Sequence, residues 1–244
     1  MGVDAFSPGR AKPLSRAAGL GYLVIIVCGI FAEFFVRSSL IVPGDAGTTA
    51  GNIAGAQGLF RLAISAEFLM LAADVALAML LYVLFREAGR SLALLAAFFR
   101  LTHASIVGVN LLNLFVPLLL LGDKPYLEAF QPEQLHALVL LILETHGFGY
   151  LVGLVFFGFH CLVLGYLVYR SGYVPKVLGV LLVVAGLGYL ADGFGRTLLV
   201  HYDEYATTFQ MVVFIPAFIG ELSFCLWLLV KGVAWPTRAK GDER

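Results

Sequence analysis

A chain of 244 residues that is 60% hydrophobic, with mean hydropathy +0.92, carries more apolar surface than a water-soluble domain of that size can bury. Its formal net charge is zero and it has no basic run or zinc-finger spacing, which excludes the nucleic-acid-binding classes. Composition therefore predicts an all-α, polytopic membrane protein, with the lipid bilayer as its first partner.

Six apolar runs are long enough to cross roughly 30 Å of hydrocarbon. They lie near residues 18–41, 59–85, 91–121, 135–169, 176–200 and 208–231 and make one membrane domain of the whole chain, 1–244. The first run has the basic flank of a secretory signal. Its apolar part is too long for one, contains Glu33 and shows no A-x-A site, so it is read as a span. The connection VPGDAGTTAGNIAGAQG (42–58) is small and glycine-rich, suited to a short interfacial helix or a mobile loop. The second span carries Arg61, Glu67 and Asp74. In the third, Arg100, His103, Asn110 and Asn113 step by three and seven and share one helical face, with Pro117 placed to kink it. The fourth, about 35 residues, is too long for one straight crossing and must tilt or project. It holds Glu144, His146, His160 and the close-packing motif Gly149-x-x-x-Gly153. The fifth holds Asp192 and Arg196, and the sixth holds Glu221.

The connections alternate in charge. One side holds Arg10, Lys12, Arg16, Arg86, Arg90, Arg170, Lys176, Lys231, Arg238, Lys240 and Arg244, and the other holds the single base Lys124. That bias predicts both termini in the cytoplasm. Tyr126, Tyr202 and Tyr205 on one side, and Tyr169, Tyr173 and Trp235 on the other, suit interfacial belts. Cys28, Cys161 and Cys225 all lie in apolar runs without CxxC spacing and read as small apolar fillers.

The segments AGLGYLVIIVCGIFAEFFVRSSLIVPGDA, DVALAMLLYVLFR, LALLAAFFRLTHASIVGVNLLNL, HGFGYLVGLVFFGFHCLVLGYLVYRSGYVPKVLGVLL and GELSFCLWLLVKG extend over nearly the whole chain. Together they resemble a bacterial family of integral membrane proteins catalogued as a domain of unknown function, forty-three eighty-six. The resemblance implies a six-helix membrane protein and carries no assigned activity.

A charge bare at mid-membrane costs about 2.5–3.5 kcal/mol on insertion scales, so intramembrane charges should face one another or water. Glu33 and Arg37 are four apart, as are Asp192 and Arg196, and each pair shares a helix face. By depth, Glu33, Arg37, Arg61, Glu67, Glu144, His146, Asp192 and Arg196 fall in the outer half. They predict an outward-opening polar pocket that binds or transports a small polar or amphipathic ligand, with an arginine holding any anionic group. The plainer alternative is separate ion pairs that fix helix register, with Arg37 and Arg61 snorkelling. For Asn110 and Asn113 the plainer role is interhelical hydrogen bonding.

No cofactor is predicted. His103 and His160 are the one pair of histidines at depths comparable enough to bracket a haem. A zinc site built from His146 with Glu33, Asp192 or Glu144 would have a thin ligand set, and the chain has no HExxH, GxSxG or Walker motif. Three functions stay open. One is a binding or transport module. Another is a membrane enzyme on a lipid or isoprenoid, with His146, Glu33 and Asp192 as candidate acid and base groups. The third is a structural membrane subunit.

Overall fold

The computed structural model describes residues 8–233, without the side chains of 8–10, 203–210, 212 and 214. Expectations for Arg10, Tyr205, Trp235, Arg238, Lys240 and Arg244 lie outside these described parts.

The described chain is an all-α bundle. Helix α1 (Pro8–Ile30) passes into a π-helical segment (Phe31–Arg37) and a short α2 (Ser38–Leu40). Then come α3 (Ala46–Gly55), α4 (Gln57–Phe85), α5 (Arg90–Asn110), α6 (Leu112–Leu120), α7 (Pro132–Ser171), α8 (Lys176–Leu198) and α9 (Tyr202–Val230). Five rods, Ala11–Leu40, Gln57–Phe85, Arg90–Leu120, Pro132–Ser171 and Lys176–Leu198, are long and apolar enough to span a bilayer. In α9 the apolar part is Ile215–Val230. Large apolar side chains such as Phe35, Leu69, Met79, Phe98 and Phe148 point outward, as lipid contact requires.

The ends of the elements follow from local chemistry. Connection 42–58 forms an ordered helix because Asp45 caps α3, accepting from the Thr48 N–H at 2.9 Å and from its hydroxyl at 2.7 Å. Those bonds hold the Asp45 carboxyl below the usual carboxylate range. The buried face of α3, Thr49, Ala50 and Ile53, packs toward α7. The α-helical hydrogen-bond pattern of the third span is interrupted at Leu111, where the Leu114 N–H reaches the Leu111 carbonyl at 2.9 Å. Pro117 lies six residues further on and has no N–H to offer the Asn113 carbonyl. Helix α7 has 40 residues and so runs about 60 Å, far beyond one bilayer thickness. A Gln131–Gln134 capping box starts it and Gly172, at φ 76°, ends it.

The long helices close into a ring in chain order: α1 packs on α4, α4 on α5, α5 on α7, α7 on α8, α8 on α9, and α9 back on α1. Glycines set the tightest of these contacts. A Cβ on Gly165 would lie 2.6 Å from the Gly179 carbonyl, and one on Gly186 would lie 2.7 Å from the Gly158 carbonyl. The heptad spacing on both helices lets the α7 and α8 backbones touch twice. Apolar clusters pack at both ends of the ring. One holds Leu77, Leu84, Phe85, Leu167, Phe224 and Leu228, and the other holds Ile53, Phe60, Ile64, Leu114 and Val139.

Candidate functional site

Between the two apolar clusters, polar side chains form two layers, with a smaller apolar cluster of Cys28, Met70 and Val107 beside them. The central layer is built around Arg100 of α5, which is fully buried. Its guanidinium lies 2.5 Å from Asp74 of α4, 3.4 Å from the Tyr22 hydroxyl of α1 and 3.1 Å from His160 Nε2 of α7. The rings of Tyr22 and Phe157 stand 5.0 and 5.2 Å from the guanidinium carbon, within cation–π range. His160 Nδ1 is 2.8 Å from the Ala96 carbonyl, which can only accept. Nδ1 therefore carries the proton, and Nε2 accepts from Arg100. The Tyr189 hydroxyl of α8 donates to Glu221 Oε1 of α9 at 2.6 Å, and Glu221 lies within electrostatic reach of Arg100 and Asp74. Each of the six long helices thus contributes at least one polar group to the layer.

The outer layer centres on Arg37, which is buried and donates from Nε to Glu33 at 2.8 Å and from Nη1 to Glu67 of α4. The π-helical segment makes this possible. Its wide turn carries Val36 and Arg37 to the inside while Phe34 and Phe35 face lipid. The Ser38 and Ser39 hydroxyls donate to carbonyls of the same segment. Glu33 is 52% exposed, Glu67 is 1% exposed, and Glu67 Oε2 has no hydrogen-bond partner. Buried His146 of α7 borders this layer, with Arg37 in electrostatic reach, and its Nε2 is also without a partner. Glu67 and Asp74, seven residues apart on one face of α4, stack the layers about 10.5 Å apart. Tyr150 of α7 stands between them, within electrostatic reach of both carboxylates.

The polar stripe of the third span faces α7. Asn110 donates to the His146 carbonyl at 2.8 Å, and Asn113 donates to Asn110 at 2.9 Å. Gly149 and Gly153 make room for it, since a Cβ on Gly153 would come 2.9 Å from Val107 and 3.2 Å from His103.

The eight residues expected around one outward-opening pocket separate into groups. Glu33, Arg37, Glu67 and His146 gather in the outer layer. Asp192 and Arg196 pair at 3.4 Å away from it, held by Tyr202, which donates to Asp192 and lies under the Arg196 guanidinium at 4.9 Å. Arg61 and Glu144 are exposed, because Phe60 and Leu143 occupy the inward positions beside them. A groove of about 460 Å³ lies elsewhere, near the start of α8 and the end of α9, lined by Pro175, Leu178, Leu226, Trp227 and Lys231.

Phe157 packs against both His103 and His160, 5.0 Å from the His103 ring and 5.5 Å from the His160 ring, and both His160 nitrogens are engaged. Among the described residues no three His, Cys, Asp or Glu side chains group in a way that could hold a metal.

Tyr22, Tyr150 and Tyr189 were not among the expected site residues. The signal for them is a pentapeptide, G-x-G-Y-L, present at 19–23, 147–151 and 186–190. Each copy delivers its tyrosine to the polar layers. In two copies the first glycine meets a neighbouring backbone: a Cβ on Gly19 would lie 2.8 Å from the Leu229 nitrogen, and Gly186 packs on Gly158.

A protein of the archaeon Archaeoglobus fulgidus, described as uncharacterized, is 33% identical over 165 residues, covering 68% of this chain and 80% of that one. No solved structure matches the chain. The profile of a family described as "Domain of unknown function (DUF4386)" matches residues 17–232, and the chain belongs to that family.

Proposed function

We propose that this protein binds a small polar or amphipathic molecule inside its helical ring, in a pocket that opens outward beside Glu33. The observation that carries this reading is the outer layer: a buried arginine next to two buried polar atoms, Glu67 Oε2 and His146 Nε2, that lack hydrogen-bond partners. Buried polar atoms in native proteins are nearly always paired, and a ligand's own polar atoms would complete these. Arg37 would hold an anionic group and half-exposed Glu33 would mark the way in. The orientation that suits this is a bacterial cell membrane with both termini in the cytoplasm. In support, Lys12, Arg16, Arg86, Arg90, Arg170, Lys176 and Lys231 all lie at the end where α1, α5 and α8 begin.

Mass spectrometry of what co-purifies tests the reading. A molecule retained by wild type should fall at least about tenfold in Arg37→Gln, the loss of one charge-assisted bond, and stay bound in Asp192→Asn. Equal retention by Arg37→Gln overturns the proposal. The unpartnered His146 Nε2 also favours a second reading, acid–base chemistry on a lipid or isoprenoid. His146→Ala separates the two. Changed membrane lipids in cells carrying that variant mark an enzyme, and unchanged lipids with altered retention mark a binder.

A further inference from the structure

The central layer is one positive charge short. Asp74 and Arg100, 2.5 Å apart, cancel each other, and neither is more than 4% exposed. Glu221 is then the remaining acid. The groups facing it are Tyr22 from α1, Asp74 from α4, Arg100 from α5, Cys161 from α7 and Tyr189 from α8. Arg100 is the only cation among them, and Asp74 already holds it. The histidines do not supply a second one. His160 accepts from Arg100 while donating to Ala96, so it is neutral. His103 Nε2 stands 3.8 Å from Asp74, within ion-pair range but beyond a hydrogen bond, and its ring is buried against Phe157 at 5.0 Å, where an imidazolium without hydrogen-bond partners is costly. Glu221 sits within the apolar stretch Ile215–Val230, where an unmatched carboxylate is as costly as any bare charge in hydrocarbon.

We infer that Glu221 is a proton-binding site: it carries one exchangeable proton at neutral pH, and Tyr189 positions its carboxyl group. The Tyr189 hydroxyl donates to Oε1, which leaves Oε2 to hold the proton. The site lies one layer below the ligand site proposed above and does not depend on it. The charge balance of the layer stands whether or not Arg37 holds a ligand.

Dicyclohexylcarbodiimide tests this directly, because it modifies protonated carboxyl groups in apolar surroundings and spares ionised ones. Purified wild-type protein in detergent should take up about one equivalent near pH 7. Peptide mapping should place it at Glu221, with Asp74 unmodified, and the rate should fall as pH rises. Glu221→Gln keeps the Tyr189 bond and should abolish the modification. Tyr189→Phe should leave the site reactive but shift the pH at which its rate falls. Infrared difference spectroscopy on wild type gives a second reading that needs no variant, through a protonated-carboxyl band that disappears at high pH. Three results would each overturn the inference: an unreactive Glu221, a rate that does not change with pH, or protection by sodium ions, which would make the occupant a metal cation.

Discussion

Arg100 is the side chain whose loss should be felt most. It joins α1, α4, α5 and α7 through Tyr22, Asp74 and His160, and it is fully buried. Arg100→Ala leaves Asp74 buried and unpaired, which should cost about 3–5 kcal/mol. Arg100→Ala with Asp74→Ala should recover much of that, because the stranded charge goes too. Denaturant titration of the two variants in detergent measures the difference. Asp45 makes a gentler prediction. Its carboxyl is held below its ordinary value by the Thr48 bonds, so its contribution to α3 is present at neutral pH. That contribution disappears as pH falls through the lowered folded-state value. The protection of α3 amides relative to their intrinsic exchange rates should fall below about pH 4, the ordinary aspartate range, and Asp45→Ala should abolish that acid-induced step. Same-helix relations were legible at this scale. Glu33 with Arg37 and Asp192 with Arg196 pair as their spacing of four predicts. Partners on other helices were not, since nothing in spacing says that Arg37 also takes Glu67 or that Arg100 takes Asp74.

Glycine placement separates helices that must touch from helices that need not. Gly165→Ala drives a methyl into the Gly179 carbonyl, with no flexible side chain to yield, and should lower the melting temperature of the purified protein. Gly51→Ala, in α3 with nothing within 4 Å, should be neutral or stabilise by up to about 1 kcal/mol through helix propensity. The existence of the long helices was legible because hydrophobic runs of this length have no other solution in lipid. The π-helical segment was not, since the extra residue in its turn leaves no mark in composition. It also decides the site: without it Arg37 would keep a different bearing on the same rod. The direction of each side chain around its rod was not legible. Arg61 and Glu144 occupy outward positions, whereas Tyr22, assigned no role, lies inward.

The ring as a whole places polar layers inside, with apolar clusters toward its two ends. Buried Cys28, Cys161 and Cys225 should therefore resist a membrane-impermeant maleimide in the folded protein, whereas Glu33→Cys should react from the outer face of intact cells. Labelling of Glu33→Cys only after membranes are opened would invert the proposed orientation. Long apolar runs made an all-α membrane bundle legible, but not which helices are neighbours or that the last returns to the first. That return has a consequence for chain connectivity. Ser15 Oγ accepts from the Val233 N–H at 2.9 Å, so the beginning and end of the fold meet on the same side of the bundle. The turn between Phe85 and Arg90 lies at that side too. A short tether joining the old ends, with new ends cut at Glu87 and Ala88, would keep every helix crossing in its present direction. Such a circular permutant should assemble into the same bundle, because the order in which the helices are threaded is independent of the contacts they finally make.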